Sequence, residues 1–238
     1  MQPHAFNENS VRDEPVSWAS DTAPDNVALA ALLRVGPTRR CEFADGHVIE
    51  PDARVVRIVL GGGLGRFAEP DHLCVAWAGP GRTQFDFASK EDHDGPVLQA
   101  IGATTVLLVA KQTLHEGLGE LATQRWLCRA GEIARKAAEE EAACIGFHAA
   151  ENRTAKWLLR LQPEPGKPVS VTQERLAQIL GIQRTSVNTA MQNLRHRGLL
   201  RCRRGKVGIL DLPGLRRAAC ACDRVDIGAA DRADALYA

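Results

Sequence analysis

Between Thr172 and Arg197 the sequence reads TQERLAQILGIQRTSVNTAMQNLRHR, and the single glycine in its middle constrains everything around it. Leu176, Ala177 and Leu180 recur at helical spacing, as do Val187, Ala190 and Leu194, so the segment predicts two short amphipathic helices. Only Gly181, Ile182 and Gln183 separate them. Gly181 stands where the chain must turn sharply, and glycine accepts positive φ at low cost. Two helices joined this tightly have helix-turn-helix spacing. That spacing presents a helix beginning near Arg184 to the major groove of DNA.

The polar face of the second helix agrees with that reading. Arg184, Thr185, Ser186, Asn188, Thr189, Gln192 and Arg195 are all hydrogen-bonding side chains and none is acidic. Arg can grip guanine bidentately, Asn and Gln can grip adenine, and Thr offers thymine a hydroxyl and a methyl. Two ordinary packed helices would show the same apolar spacing, so the flanks decide. Gly198 is placed to cap the second helix. Leu199 to Arg204 then reads as a strand, Gly205-Lys206 as a two-residue turn and Val207 to Asp211 as the return strand. This hairpin, tipped with Arg203, Arg204 and Lys206, is a basic wing suited to phosphates beside the groove. Upstream, Arg153 to Leu161 is an amphipathic helix ended by Pro163, Pro165, Gly166 and Pro168. From residue 151 onward there are 16 Lys and Arg against 8 Asp and Glu, a net of +8; the preceding 150 residues carry 14 against 21, a net of −7. A basic C-terminal module neutralises phosphates, and an acidic N-terminal one stays off the DNA.

These residues carry a family resemblance. From Cys144 to Cys222, the order NRTAKWLLRL, TQERLAQILGIQRTSV, RGLLRCRRGKVGILDLPGL resembles the DNA-binding half of the Crp–Fnr transcription regulators. The ending Ala219-Cys220-Ala221-Cys222 resembles a branch of that family with a cysteine pair after its last helix. The resemblance implies that Arg184 reads a base and that Thr172 touches phosphate. It implies a DNA-contacting set of Thr172, Gln173, Arg184, Thr185, Ser186, Asn188, Thr189, Gln192, Arg195, Arg203, Arg204 and Lys206. Thr185 and Thr189 stand where the family more usually has glutamate and arginine, so the preferred half-site differs.

The N-terminal half has a β texture. Val48-Ile49, Arg54 to Leu60, Leu73 to Trp77, Gln84 to Phe87 and Thr104 to Val109 are strand-like, and glycines punctuate them. Many short strands between glycine turns suggest a small antiparallel barrel or roll. The stretches CEFADGHVIEPDARVVRIVLGGGL and LQAIGATTVLLVAKQTL resemble the first and last strands of the family's effector-sensing β-roll. Residues 1–24 read as a disordered tail, and Asp25 to Arg34 as a short helix capped by Asp25.

Gly61-Gly62-Gly63-Leu64-Gly65 is not a phosphate loop, because no Lys-Ser/Thr closes it and Arg66-Phe67 leads on towards Pro70. A hairpin turn is expected there instead. Cyclic-nucleotide-binding relatives clasp the cyclic phosphate with a Gly-Glu turn and a later Arg-Ser/Thr pair. Between Trp77 and Val97 that Glu is missing, Gly95-Pro96-Val97 takes the place of the arginine, and Arg82-Thr83 comes too early. Dependence on cyclic AMP is therefore not expected, since the phosphate would be left uncompensated.

Leu118 to Phe147 contains no proline and is rich in Ala, Glu, Arg and Leu, which favours one long helix. Leu127, Ala130, Ala134, Ala137 or Ala138, and Ile145 form a narrow seam of small residues along it. The seam is suited to a twin helix across a two-fold axis, as in the family's central helix, or to the chain's own roll. A dimer would set two recognition helices about 34 Å apart, one DNA turn.

The seven cysteines have no regular spacing and the first is Cys41, so the N-terminal cluster that holds an iron–sulfur centre in oxygen-sensing relatives is absent. The odd count argues for a reducing cytoplasm. Cys144, Cys202, Cys220 and Cys222 leave a thiol-redox or metal-responsive regulator open. One residue between Cys220 and Cys222 is poor spacing for structural zinc, and no metal is expected. His72, His93, His115 and His148 have no partner spacing; His148 is expected to pack or cap, and Glu91, Asp92 and Asp94 to form a solvated loop. No nucleophile elbow or paired-carboxylate site points to an enzyme. The longest strongly apolar run, Val106 to Ala110, is far short of the roughly 20 residues of a membrane span, and the first twenty residues lack a secretion signal.

The expectation is an α+β chain of four parts: tail 1–24, β-roll 25–117, dimerisation helix 118–147 and winged helix-turn-helix 148–238. The function expected is a cytoplasmic, homodimeric regulator of double-stranded DNA, with no cofactor and no membrane. The resemblance adds RNA polymerase as a partner and an effector of unidentified chemistry. A protein-interaction module with non-specific DNA affinity is the reading from another class.

Overall fold

The computed structural model describes residues 38–68, 73–86, 95–163, 166–203 and 205–223. The expected tail and first helix lie outside the described residues, as do His72, Glu91, Asp92, His93, Asp94 and Arg204.

The N-terminal half is an antiparallel roll of six strands. They are β1 (Thr38–Phe43), β2 (Val48–Ile49), β3 (Val55–Ala68), β4 (Leu73–Ala78), β5 (Thr83–Phe85) and β6 (Val97–Ala110). The hydrogen-bonded order is β1-β6-β3-β4, with β2 on β6 and β5 on β3. Val56, Ile58, Phe85, Leu107, Val109 and Leu114 fill one end of its core, and Ile49, Val59, Leu64, Ala78, Leu98 and Val106 the other. The two long strands differ from the expectation of short ones, and the glycine run makes no hairpin. Instead β3 continues through Gly61–Gly65, and its register against β6 shifts between Val59 and Gly61 and again between Gly61 and Gly63. These bulges bend the strand. Glycine is needed there: Gly62 has φ +67, and a Cβ on Gly63 would lie 1.8 Å from the Trp77 ring. The missing side chains admit the indole into the roll.

Inside the roll, Arg57 donates to Asp86 Oδ2 at 2.7 Å and Arg66 to Asp86 Oδ1 at 3.3 Å. Burial pushes the Asp86 carboxyl up, yet the Arg57 guanidinium and the hydrogen bonds it accepts outweigh that, and the net shift is downward.

The long helix is broken once. A short helix α1 (Lys111–Leu118) ends at Gly119, with φ 80, and α2 (Glu120–Phe147) follows, so Leu118 belongs to the shorter piece. Thr123 pins the joint by donating from its hydroxyl to the Leu114 and Gly119 carbonyls, both at 3.0 Å.

The C-terminal half comprises α3 (Ala150–Arg160), β7 (Val169–Ser170), α4 (Gln173–Leu180), α5 (Arg184–His196), β8 (Leu200–Arg203), β9 (Lys206–Ile209), α6 (Leu212–Ala218) and a 3-10 turn at Ala221–Asp223. The helix of NRTAKWLLRL is three residues longer at its start than expected. The wing has a third strand, β7, paired with β9. Lys206 lies outside its turn, contrary to expectation, because it pairs with Arg203 as the first residue of β9. Asp211 does not extend the return strand; its carboxylate accepts from Gly214 N–H at 2.8 Å and caps α6.

The two halves share a core. Phe67, Cys74, Trp77 and Ile101 of the roll join Trp157, Leu158, Leu176, Ile179, Leu180, Val187 and Leu194 in one buried cluster. Trp77 meets Trp157 edge to face, ring centroids 5.3 Å apart. Leu73 lies against Gly181, where a Cβ would come within 2.5 Å of a Leu73 methyl.

Candidate nucleic-acid interface

The recognition surface is built by the turn between α4 and α5. Thr172 is the N-cap of α4, its hydroxyl accepting from Arg175 N–H at 3.0 Å. Gly181 ends α4 in the left-handed conformation (φ 60, ψ 40), as its placement predicts. Helix α5 starts at Arg184, and Val187, Ala190, Met191 and Leu194 hold it onto the core. At its far end Gly198, φ +73, turns the chain into β8. Glu151 of α3 accepts from Asn193 at 3.0 Å and from Arg197 at 2.6 Å, which anchors the C-terminal end of α5.

With its apolar stripe buried, α5 presents Arg184, Thr185, Asn188, Thr189, Gln192 and Arg195 exposed, and Ser186 half-exposed. Gln173 reaches across from α4 and donates to Asn188 Oδ1 at 3.2 Å, so the two amides are held side by side. Thr189 donates to the Thr185 carbonyl at 3.1 Å, leaving its methyl outward. No acidic side chain lies in the first turn of α5, where the positive end of the helix dipole emerges. Arg203 and Lys206 are exposed beside it on the wing. Thr172, Gln173, Glu174, Arg184, Arg203 and Lys206 line a shared groove of about 560 Å3 between the helices and the wing. Of the expected DNA-contacting residues the groove brings together Thr172, Gln173, Arg184, Arg203 and Lys206, with Glu174 as the acidic residue among its lining.

Sequence reasoning missed Arg175. From α4 it reaches back to the roll, donating to Asp45 Oδ1 at 3.2 Å, Gln99 Oε1 at 3.2 Å and the Ala100 carbonyl at 3.1 Å. Its guanidinium also sits 5.2 Å from the Phe67 ring centroid. The helix that supports the recognition helix is therefore docked on the roll.

The expected helix seam divides. Leu127 and Ala130 pack against the roll's core with Trp126. Ala130, Ala134 and Ala137 line a cleft opposite Trp77, Ala78 and Thr83. Ile145 lies further along and is half-buried. Leu121 and Phe147, at the two ends of α2, are exposed by 60% and 86%.

A second cluster, unforeseen as a unit, lies at the hinge between α2 and the DNA-binding half. Lys156, fully buried, donates to both oxygens of Glu141 at 2.9 and 2.8 Å and to Cys144 Sγ at 3.1 Å. Arg160 donates to Glu141 Oε2 at 2.8 Å. Cys144 and Cys220 sulfurs are 3.3 Å apart, and Cys222 Sγ is 3.5 Å from His148 Nδ1. The four candidate ligand atoms of Cys144, His148, Cys220 and Cys222 all lie within 4.8 Å of one another. The Cys220 thiol and then the Lys156 ammonium pull the Cys144 thiol down to about 5 against the effect of burial, and Cys220 is pushed up by the same sharing. His148 also caps α2, its N–H donating to the Cys144 carbonyl at 3.1 Å. Cys202 stands apart, exposed on the wing.

Comparison with known proteins agrees with the geometry. Residues 152–218 match the family of the Crp-like helix-turn-helix domain. Among solved structures, the fold is similar to FixK2 from Bradyrhizobium japonicum, at 19% identity, covering 78% of this chain and 99% of that one, TM-score 0.59. It is similar to a Crp/Fnr-family transcriptional regulator from Eubacterium rectale, at 17% identity, covering 81% and 94%, TM-score 0.60. A CRP-family regulator from Thermus thermophilus aligns at 22% identity over 75% and 96% of the two chains, TM-score 0.57. No curated protein matches the sequence significantly. The architecture is a β-roll joined through a long helix to a winged helix-turn-helix. The chain carries a Crp-like helix-turn-helix domain, and over most of its length its fold is similar to those of Crp/Fnr-family structures. No helix among the described residues is long and apolar enough to cross a membrane.

Proposed function

We propose that this chain is a sequence-specific DNA-binding transcription regulator that works in the cytoplasm as a homodimer on a two-fold symmetric site. The observation that carries the reading is the exposed face of α5, rich in Arg, Asn, Gln and Thr and free of acid, beside a wing bearing Arg203 and Lys206. Arg184, Asn188 and Gln192 are the base-reading candidates, with Thr185, Ser186, Thr189 and Arg195 on the same face. Thr172, Gln173, Arg203, Arg204 and Lys206 are the phosphate-contacting candidates.

The dimer is formed through α2. Ala134, Ala137, Ala138 and Ile145 are only half covered by their own chain. Leu121 and Phe147 add exposed apolar surface at the two ends of the helix. DNA binding does not require cyclic AMP. Among the described residues the cleft between roll and α2 holds about 30 Å3, against the roughly 300 Å3 at which ligand pockets begin.

Genome-wide selection of DNA by the purified protein, beside Arg184→Ala and with no added ligand, tests the reading. A symmetric motif is expected for the wild type and its loss for the variant. Sequence-blind binding by both proteins would reduce the chain to an interaction module. Sedimentation should give twice the chain mass, and a monomer that selects the same motif would remove the dimer.

A further inference from the structure

We propose that Cys144, His148, Cys220 and Cys222 form a mononuclear tetrahedral site for a thiophilic divalent cation of the Zn2+ type, closing the hinge between α2 and the DNA-binding half.

Ligand identity and count come first. Three sulfurs and one imidazole nitrogen are a complete structural set for zinc. A tetrahedral ion with Zn–S near 2.3 Å and Zn–N near 2.0 Å sets its ligand atoms about 3.5–3.8 Å apart. The observed 3.3 Å between Cys144 and Cys220, and 3.5 Å between Cys222 and His148, are close to that spacing. The limit of 4.8 Å on every pair fits one metal centre, and it is tight for ligands divided between two metals of a cluster.

The chain presents these atoms from two rigid pieces. Cys144 and His148 are four residues apart at the end of α2, so both point the same way. Cys220 and Cys222 flank the start of the 3-10 turn after α6. One intervening residue is poor spacing when a loop must supply two ligands alone, but here a helix end supplies the other two. Cys144 and Cys220 are buried while His148 and Cys222 are half-buried, so the site is sheltered and has an entry side.

The surroundings suit bound thiolates. Lys156 and Arg160 both pair with Glu141, and Lys156 also reaches the Cys144 sulfur. Lys156 then acts as the outer-shell donor to the Cys144 sulfur, the kind of support that metal ligands need. Binding sends the remaining thiol protons to solvent. All four ligands fall outside residues 152–218, just before and just after the matched helix-turn-helix domain. The cation would therefore clasp that domain by both of its ends.

The full-length chain, purified under reducing conditions and stripped by chelation, is titrated with Co2+ and then Zn2+. One Co2+ per chain is expected, with the visible bands and sulfur-to-metal charge transfer of tetrahedral thiolate coordination, displaced by one Zn2+ seen in native mass spectrometry. Cys222→Ser and His148→Ala, at half-buried positions that spare the core, should each weaken binding at least about tenfold, what losing even a supporting partner costs. Cys128→Ser, on the exposed face of α2, should bind as the wild type does. Circular dichroism checks that each variant is folded. A folded chain that takes up no Co2+, or takes it up without thiolate bands, overturns the proposal. Affinity unchanged in both ligand variants does so too, and a Cys144–Cys220 disulfide in a metal-free wild type would replace the metal with a thiol switch.

Discussion

The DNA-binding half is held to the rest of the chain at two places made of opposite materials. Against the roll the contact is mainly apolar: Trp77 on Trp157, Phe67 and Ile101 in the shared cluster, and Leu73 on Gly181, with Arg175 added at the margin. Against α2 it is ionic and thiol-rich, with Lys156, Glu141, Arg160 and the four ligand candidates within a few ångströms. Apolar contact tolerates small shifts, because dispersion and burial are weakly directional. A buried ionic cluster does not, because each member is stable only while its partners stay in place. One contact can slide, and the other is either made or broken.

Removing one charge from the ionic side should therefore cost most. Lys156→Ala leaves Glu141 with Arg160 alone and takes the buried donor from the Cys144 sulfur, and breaking such a buried pair costs about 3–5 kcal/mol. Thermal or urea unfolding measures it. A loss below about 1 kcal/mol, the range of an exposed pair, would show that charge compensation is not what the cluster is for. On the apolar side Trp77→Phe, keeping an aromatic ring in the seam, should cost about 1.5 kcal/mol. A larger loss than that from Lys156→Ala would reverse the comparison. Thr172→Ala removes the cap of α4 and should cost about 1 kcal/mol by the same unfolding measurement. Arg135→Ala, which breaks exposed pairs with Glu132 and Glu139 on α2, should stay within about 0.5 kcal/mol and marks the floor of the scale.

Acid tests the roll's own ion network separately. The Asp86 carboxyl is held below its ordinary 3.8, so its contribution is present above that value and is lost as pH falls through the lower, folded value. Wild type should lose stability below about pH 4 more steeply than Asp86→Asn, followed by urea midpoints at each pH. Equal slopes would mean that Arg57 and Arg66 give that carboxylate no net support.

The same contrast governs what could be seen in the sequence. The helix-turn-helix was legible because apolar contact writes itself as periodicity: Leu176, Leu180, Val187 and Leu194 each fall where a helix needs them. The wing was legible to within one residue of its turn. The roll was legible as a class, but Gly61 to Gly65 hid a continuous strand, since bulged glycines in a strand and glycines in a hairpin look alike until Trp77 shows why they are there. The hinge cluster was hidden for another reason. Cys144 and Cys220 are 76 positions apart, and no period connects them. A local signal did exist. Cys144 and His148 share a helix face, and Lys156 and Arg160 fall on the same side of α3 as buried apolar residues. Arg175 gave no warning, because an arginine on an amphipathic helix ordinarily faces water.

Gly181 belongs to both contacts that matter for reading DNA. Its backbone makes the corner that aims α5, and its missing side chain is the space into which Leu73 of the roll settles. A single residue thus serves as pivot and as socket. Any replacement would have to be judged twice, once for the angle between α4 and α5 and once for the distance between the roll and the helix-turn-helix half. Changes there cannot tune one without disturbing the other, which makes this position a poor place for gradual adaptation and a sensitive one for an engineer.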